Sequence, residues 1–573
     1  MVIINNEAKC RDCYRCLRSC PVQAIGFSLG SGETEMLHAH VISERCIMDG
    51  RCVLVCPQKA KRARQDLAVV KELLLSGVPV AASVAPSFAA AIPALSPGQV
   101  LGFLKKLGFA RVLPTAIGAE LVADYCRRHV RSNNRPVITS SCPVVVSMVE
   151  KYHPHAIPYL VPVVSPMTAH ARLIKKMHPE MQVVFIGPCI GKKAEGDEVK
   201  ELKAVLTFKE LWDWWQEEGD GLGDVAEAEF DGPQPSLSQL FPLEGGFLIT
   251  AGLTTDMLAG DTLVVSGVEE CLEFLSQIGC GGYPGVQVVE MMACRGGCIN
   301  GPKVIGEDDL FSRRNRLLQY YHAKKARIRA DLGKEPVPAL ADSDLHRSYI
   351  NRKIQEVLPE EPVLREILAR TGKHRPEDEL NCGACGYNSC RDKALAVYQG
   401  RAELDMCIPF MRQKAESFSN LVLGALSSGV LVVDNKLRVL EANAAAQAMF
   451  GSNCQIVGEE ISRLFEGSHL TEVLNLKSAV KVVVPCPQFQ ILTRQTVFYL
   501  NDHDLIVCII DDITQEEARR EKVQQMKKTT IDRAQEVITK QMKVAQEIAG
   551  LLGETTAETK VLLQKLIDLM KEE

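Results

Sequence analysis

Cys10, Cys13, Cys16 and Cys20, followed by Pro21, commit the start of this chain to binding metal. Three thiolates spaced C-x2-C-x2-C turn onto one iron-sulfur cube, while the fourth, carried off by the proline, ligates a neighbouring cube. Zinc is the other metal to weigh, but zinc ribbons favour two separated pairs over so dense a run. The chain holds 21 cysteines, and in a reducing compartment close C-x-x-C spacings are metal thiolates before they are disulfides. A cytoplasmic protein with no membrane partner is expected. No signal peptide precedes the run, and the longest mildly apolar stretch, Gly77 to Leu95, is interrupted by Pro79, Pro86 and Pro93.

The run resembles that of bacterial ferredoxins, and a variant of it follows at Cys46, Cys52 and Cys56 before Pro57, with Asp49 in the second cysteine position. By cross-ligation, Cys10, Cys13, Cys16 and Cys56 should hold one 4Fe-4S cluster, and Cys46, Asp49, Cys52 and Cys20 the other. A carboxylate is a harder donor than a thiolate, so that corner iron is expected to be labile and the cluster to interconvert with a 3Fe-4S form. The alternative is that Asp49 is a solvated loop residue beside a three-iron cluster.

At 573 residues the chain is too long for one core and calls for about four domains. Its 46% hydrophobic and 24% charged residues suit ordinary globular domains. Lys and Arg number 66 against 71 Asp and Glu, so no cationic excess exists to release counterions from nucleic acid, which is not expected as a partner.

Three later segments supply four more cysteines. Thr139-Ser140-Ser141-Cys142-Pro143 follows the strand-like Pro136 to Ile138, Gly187-Pro188-Cys189-Ile190-Gly191-Lys192-Lys193 follows Val183 to Ile186, and Glu290 to Pro302 reads EMMACRGGCINGP. Each group lies just past a buried-looking strand, where α/β folds place their sites, so one 4Fe-4S site assembled from distant segments is expected. These segments resemble the motifs TSCCP, PCxxKxxE and ExMACxxGCxxGGGQP of the iron-only (FeFe) hydrogenases, in the same order, over Pro79 to about Leu332. The resemblance implies that Cys142, Cys189, Cys294 and Cys298 hold a cubane. It implies that Cys298 also bridges to a diiron unit bearing carbonyl, cyanide and a dithiolate, the whole forming the H-cluster installed by maturation proteins. It further implies a charge-assisted contact from Lys192 to one cyanide and a hydrogen bond from Ser87, in Ala85-Pro86-Ser87, to the other. Met292 and Pro188 would pack around the unit, with Ala85, Pro86 and Ser140 at its edge. The alternative for Lys192 is a surface lysine beside Lys193 and Glu195.

The same resemblance implies reversible oxidation of dihydrogen to protons and electrons, with a thiol just before the first cubane cysteine relaying the proton. Ser141 stands at that position. A thiol with pKa about 8.5 exchanges protons near neutrality and a hydroxyl is a much weaker acid; each ~1.4 kcal/mol added to the step slows it about tenfold. An ordered water beside Ser141 is the alternative relay. Gly187 replaces a methionine of the family, the GGGQP tail is shortened to Gly301-Pro302, and Tyr125, Cys126 and His129 stand near the family's proton-conducting carboxylates in the helix-like Glu120 to Val130. These departures resemble the sensory branch of the family, and slow turnover is expected.

After a proline-bearing polar connection near Glu335 to Asp344, Cys382, Cys385, Cys390 and Cys407 give C-x2-C-x4-C-x16-C, with a helix expected from Asp392 to Glu403. The module is similar to the small 4Fe-4S domain of corrinoid iron-sulfur proteins, with zinc as the alternative metal. Phe418 to Thr514 then resembles a PAS domain, carried by SSGVLVVDNKLRVLEANAAAQAMFG and DLIVCIIDDIT, with strands at Gly429 to Val433, Val439 to Ala442, Val480 to Val484, Thr496 to Leu500 and Leu505 to Ile510. Its ligand does not follow from the fold. Gly451-Ser452-Asn453-Cys454 imitates a flavin-adduct motif, but the following Gln455-Ile456-Val457 and its place before Gly458 do not fit, so Cys454 is read as structural. Ile531, Ala534, Ile538, Gln541, Ala545, Ile548 and Leu552 form a heptad seam that predicts a parallel homodimer. A stop at Gly553 and a capping box at Thr555 to Glu558 predict a last helix with Leu562, Leu566 and Leu569 on one face, and the alternative is that both helices pack back on the PAS domain. Cys126, Cys271, Cys280, Cys454, Cys486 and Cys508 are read as buried free cysteines, Cys126 with a place on a proton path to be tested.

The expected architecture is a multidomain α/β chain. It comprises an α+β two-cluster ferredoxin (1–68), an α/β H-cluster domain (79–332), a small helical 4Fe-4S domain (345–412), an α+β PAS domain (413–515) and C-terminal helices (516–573). The expected function is a slow, sensory hydrogenase that passes electrons or redox state to the PAS domain. Its partners would be dihydrogen, protons, a redox protein such as ferredoxin and, in the absence of any kinase or DNA-binding motif, a downstream kinase or phosphatase. The rivals are a metabolic ferredoxin-linked hydrogenase and a non-enzymatic iron-sulfur assembly relative without the diiron unit.

Overall fold

The computed structural model describes residues 2–570 except 30–36, 133–134, 223–224, 254, 257, 280–282, 332–338, 451–455, 502–503 and 550–555. The chain divides into two units, Met1–Phe410 and Met411–Glu573. The multidomain α/β architecture expected from the sequence is present.

In the first unit, Ile3–Asn5 pairs antiparallel with Lys61–Ala63 and closes the two ends of the first cysteine-rich segment together, while Ile25–Leu29 and Leu37–Val41 form a second antiparallel pair. The short helices Arg15–Arg18 and Arg51–Val55 each start after a residue at positive φ, Tyr14 at 54° and Gly50 at 80°. Gly50 is required twice over, because a Cβ there would also lie 2.7 Å from Ile190 and 3.1 Å from Pro302 of the following domain.

That domain is built on two parallel sheets. One has the strand order Arg111–Pro114, Val80–Val84, Gln182–Gly187, Leu202–Thr207; the other runs Thr262–Ser266, Val288–Met292, Val137–Ile138. Val80–Val84 and Val288–Met292 are buried at every residue, as strands covered on both faces must be. Ser87, Cys142, Cys189 and Cys294 all follow the C-terminal ends of these parallel strands, the end at which α/β sheets open a crevice.

The small module carries the helices Glu361–Ala369 and Cys390–Tyr398. The second is displaced from the expected Asp392 to Glu403. It starts at Cys390, where the Ser389 hydroxyl accepts from Asp392 N at 3.0 Å, and it ends before Gly400 at φ +67°.

The second unit holds a five-stranded antiparallel sheet, Val439–Ala442, Gly429–Val433, Leu505–Asp512, Ile491–Leu500, Val480–Cys486 in spatial order, with helices Ala444–Met449 and Ser468–Leu476 beside it. The strand Ile491–Leu500 is twice as long as Thr496 to Leu500. Its inward positions Thr493 and Gln495 are fully buried yet polar, which hid the alternation; Gln495 Oε1 pairs with His469 Nε2 at 2.8 Å and Thr493 donates to Val484 O at 2.9 Å.

The helices Thr514–Ala549 and Thr556–Leu569 follow. Of the expected seam, Ile531, Ala534, Ile538 and Ala545 are half-buried, Gln541 and Ile548 are exposed, and Leu552 lies outside the described residues, as do Gly553 and Thr555. In the last helix Leu562, Leu566 and Leu569 are exposed, while Ile567 is buried at 5%. Cys126, Cys271, Cys486 and Cys508 are buried and free; Cys280, Cys454 and the segment 451–454 lie outside the described residues, as do residues 335–338 of the connection beginning at Glu335. Among the described residues no helix is long and apolar enough to cross a membrane.

Candidate functional site

The three segments that the sequence separates by up to 150 residues meet at one cavity of about 100 Å³. Cys142, Cys189 and Cys298 line it, with Ser141, Pro188, Lys192 and Met292 from the same motifs and Ala85, Pro86 and Ser87 from the end of Val80–Val84. Cys294 faces Cys189, Cys298 and Cys142 electrostatically, so all four cysteines converge. Desolvation first and the neighbouring thiols second push Cys189 up to about 11 and Cys298 up to about 12, and hold Cys294 well above the ordinary thiol range. Crowded, desolvated thiols resist ionising together, and a bound cation relieves that cost.

The polar groups at the cavity fit an additional polar ligand. Ser87 Oγ and Ser141 Oγ are buried with no hydrogen-bond partner, an arrangement that costs roughly 1–3 kcal/mol per group unless something fills it. Lys192, whose side chain is 12% exposed, donates to Glu195 Oε2 at 2.6 Å and to Ser141 O at 3.2 Å, so it is a cavity residue and not the surface lysine of the alternative reading. Desolvation would raise the Glu195 carboxyl, but Lys192 and Arg347 hold it below its ordinary range. Lys193 is fully buried, donating to Asp66 Oδ2 at 3.0 Å and to Glu210 Oε1 at 3.1 Å, which ties the segment after the ferredoxin part to the domain core.

Several candidates stand elsewhere. Ser140 turns from the cavity and donates to Val163 O at 3.1 Å. Gly187 contributes no side chain; a Cβ there would lie 2.6 Å from the Phe185 ring, and Phe185 itself lines the cavity. Tyr125 stacks on His129, and Cys126 is buried at 1% in an apolar cluster; none of the three lines the cavity. Glu120 is engaged by Ser236 and Ser238 at 2.7 to 2.9 Å.

Glu290 is the functional candidate the sequence reading passed over. It lines the cavity at 2% exposure, accepts from Phe247 N at 3.3 Å and Leu248 N at 3.4 Å, and is pushed up to about 8 by desolvation. A carboxyl inside the otherwise apolar strand Val288–Met292 was the available signal.

The ferredoxin cysteines sort into two groups. Cys16 faces Cys10 and Cys13, while Cys52 faces Cys46, Asp49 and Cys20. Cys20 and Cys56 are equivalent in position, each accepting an N–H from the residue four ahead, Ala24 and Ala60, at 3.2 Å. Desolvation pushes Cys20 up to about 12 and Cys46 up to about 11. Asp49 is not a solvated loop residue. Its side chain is 9% exposed, its Oδ2 has no hydrogen-bond partner and stands 3.6 Å from Arg51 Nε, and desolvation raises its carboxyl. Asp49 also acts on Cys294, and Gly50 beside it packs against Ile190, next to Cys189, so this group lies near the four-cysteine cavity.

In the small module Cys382, Cys385, Cys390 and Cys407 line one further cavity together with Lys373 and Lys393. Four soft donors around one space fit an iron-sulfur cluster or zinc equally in number.

Comparison with known proteins agrees with this layout. Residues 78–302 match the family described as iron only hydrogenase large subunit, C-terminal domain; residues 9–60 match the 4Fe-4S dicluster domain, 378–409 an Fe-S cluster family and 417–483 the PAS domain. The chain is 26% identical over 404 residues to the NADP-reducing hydrogenase subunit HndD of Solidesulfovibrio fructosivorans, covering 56% of this chain and 68% of that subunit. It is 29% identical over 163 residues to the cytosolic Fe-S cluster assembly factor NAR1 of Yarrowia lipolytica, covering 25% of this chain and 33% of that factor. The solved FeFe-hydrogenase HydA1 from Chlamydomonas reinhardtii aligns over 51% of this chain and 100% of its own, at 20% identity and a TM-score of 0.39.

Proposed function

We propose that this chain, which carries an iron-only hydrogenase domain together with dicluster ferredoxin and PAS domains, is a slow hydrogenase that senses dihydrogen. The observation that carries this reading is the cavity beside the four converging cysteines, in which Ser87 Oγ and Ser141 Oγ are unpartnered and Lys192 projects from the facing motif. Cys142, Cys189, Cys294 and Cys298 would hold the cubane, and Cys298 would join it to a diiron unit in the cavity. When bound, that unit supplies the metal centre at which dihydrogen is split. Lys192 and Ser87 orient it by donating hydrogen bonds, Met292, Pro188 and Phe185 exclude water, and Ser141 offers a hydroxyl where the family has a thiol. A poor proton relay limits turnover, which suits a sensor that needs occupancy more than flux.

Electrons would leave through the Asp49-bearing site, which faces the cubane cysteines, and redox state would reach the PAS domain in a cytoplasmic homodimer that reports to a kinase or phosphatase. The similarity to NAR1 favours a second reading, an iron-sulfur assembly protein with a cubane and no diiron unit. A cavity lined by a lysine and two unsatisfied hydroxyls beside the four cysteines favours the first reading over that one. Infrared spectroscopy on protein loaded with the diiron complex decides between them. Carbonyl and cyanide bands that shift under dihydrogen support the sensor; their absence in protein that retains its cubanes supports the assembly reading.

A further inference from the structure

The small four-cysteine module is seated on the ferredoxin segment, not on the hydrogenase cavity. Gly386, at φ +93°, packs so closely that a Cβ would lie 3.0 Å from Leu17 Cγ and 3.2 Å from Arg18 N, in the helix that carries Cys16. Next to it, Tyr387 is 1% exposed, shares a hydrophobic cluster with Leu17 and Val22, and leaves its hydroxyl without a hydrogen-bond partner. Cys20 of the Asp49-bearing site and Cys385 pack against that same cluster, and Cys20 lines one surface pocket together with Gly386. Gly50, beside Asp49, packs against Ile190, beside Cys189, so the Asp49-bearing site has close neighbours both in the hydrogenase-type segments and in the small module.

Lysines stand near every cysteine site, but among the described residues the small module is where one donates directly to a cysteine sulfur. Lys373 is 7% exposed and donates to Cys407 Sγ at 3.4 Å, with Thr371 O at 3.0 Å holding it in place. Lys393 is 5% exposed, anchored to Leu404 O at 2.8 Å, and acts on Cys407, Cys385 and Cys390. Elsewhere Lys61, Lys151 and Lys192 donate to oxygens, and the Asp49-bearing site contains a carboxylate. A desolvated cation and an N–H···S bond both stabilise the more negative, reduced state of a thiolate-ligated cluster, and so raise its potential.

We infer that Lys373 and Lys393 make the Cys382-Cys385-Cys390-Cys407 site the electron end point of residues 1–410, filled from the Asp49-bearing site across the Cys20–Tyr387–Cys385 contact. One electron passes per transfer, oxidising the donor site by one and reducing the acceptor by one, and no bond is made or broken. The inference rests on the iron-sulfur assignment of this module and not on hydrogen turnover, so it is tested without dihydrogen.

The test is a reductive titration of the full-length, cluster-loaded protein followed by electron paramagnetic resonance, with the third signal assigned by its loss in Cys382→Ser. The third site is expected to fill before the two ferredoxin sites. In Lys373→Met its ratio of reduced to oxidised form at a fixed potential falls about tenfold, equivalent to about 59 mV for one electron, and Lys373→Arg restores it. A third site that fills last, or a ratio unchanged in Lys373→Met, overturns the inference. Where Lys373→Met loses its iron, Lys393→Gln is titrated by the same criterion. Zinc in place of a third paramagnetic signal removes the site, and with it the inference, while the infrared test of hydrogen sensing stands apart.

Discussion

Lys192 Nζ donates to the backbone carbonyl of Ser141 at 3.2 Å. The bond joins the second motif to the residue just before Cys142, 51 residues away in sequence. Lys192 also carries the ion pair to Glu195, whose side chain is 3% exposed. Replacing Lys192 by Met therefore removes a donor to the cavity and leaves the buried Glu195 carboxylate only Arg347 at 3.7 Å and the Thr168 hydroxyl at 3.3 Å, at a cost of about 1–3 kcal/mol. Lys192→Met is expected to lower the melting temperature and to lose diiron loading while retaining the cubane. Calorimetry, iron content and the intensity of the carbonyl bands check it.

Ser141 Oγ is buried at the cavity without a hydrogen-bond partner, and the proposed function gives it the proton relay. Ser141→Cys is nearly isosteric and substitutes an acid of pKa about 8.5 for a hydroxyl. Its expected effect is a rise in dihydrogen oxidation rate of about tenfold or more, with the infrared band positions little changed. Ser141→Ala gives the baseline, and equal rates in all three proteins would assign the proton to another route.

Glu290 is pushed up to about 8, from an ordinary value of 4.5. The folded chain then binds a proton that the unfolded chain releases, so its contribution to stability is complete below about pH 4.5 and is lost as pH rises toward 8. Glu290→Gln keeps the shape without the titration, and the difference in melting temperature between the two proteins is expected to widen in the variant's favour from pH 5 to pH 8. A proton relay at Glu290 would also appear as a fall in turnover in Glu290→Gln.

Asp49 Oδ2 is buried without a hydrogen-bond partner, 3.6 Å from Arg51 Nε, and its carboxylate acts on Cys20, Cys46 and Cys52 electrostatically. Asp49→Cys completes a four-thiolate set with a softer donor. The expected result is a cluster that resists oxidative loss of one iron, read as a diminished 3Fe-4S signal after exposure to air.

The 4Fe-4S dicluster domain, the hydrogenase domain and the small Fe-S cluster family were legible because their cysteine motifs are specified by residue type and local spacing. The parallel sheet strands were legible for a similar reason, their unbroken apolar runs. Where inward positions are polar, as at Thr493 and Gln495, periodicity fails, since a buried hydrogen-bond network satisfies groups that the pattern counts as solvent-facing. Gly187 shows the same limit at the cavity: the sequence registers a lost methionine, whereas packing brings Phe185 into the space.

By itself the sequence determined which atoms are available to bind metal, and in what local order. Only the tertiary structure decided which sites are neighbours. It packed Gly50, beside Asp49, against Ile190 and Gly386 of the small module against Leu17 and Arg18, buried Lys373 against Cys407, and directed Glu290 into the cavity. Coordination is a short-range property encoded within a few residues, but electron and proton paths depend on distances and desolvation between segments hundreds of residues apart, which exist only once the chain is packed.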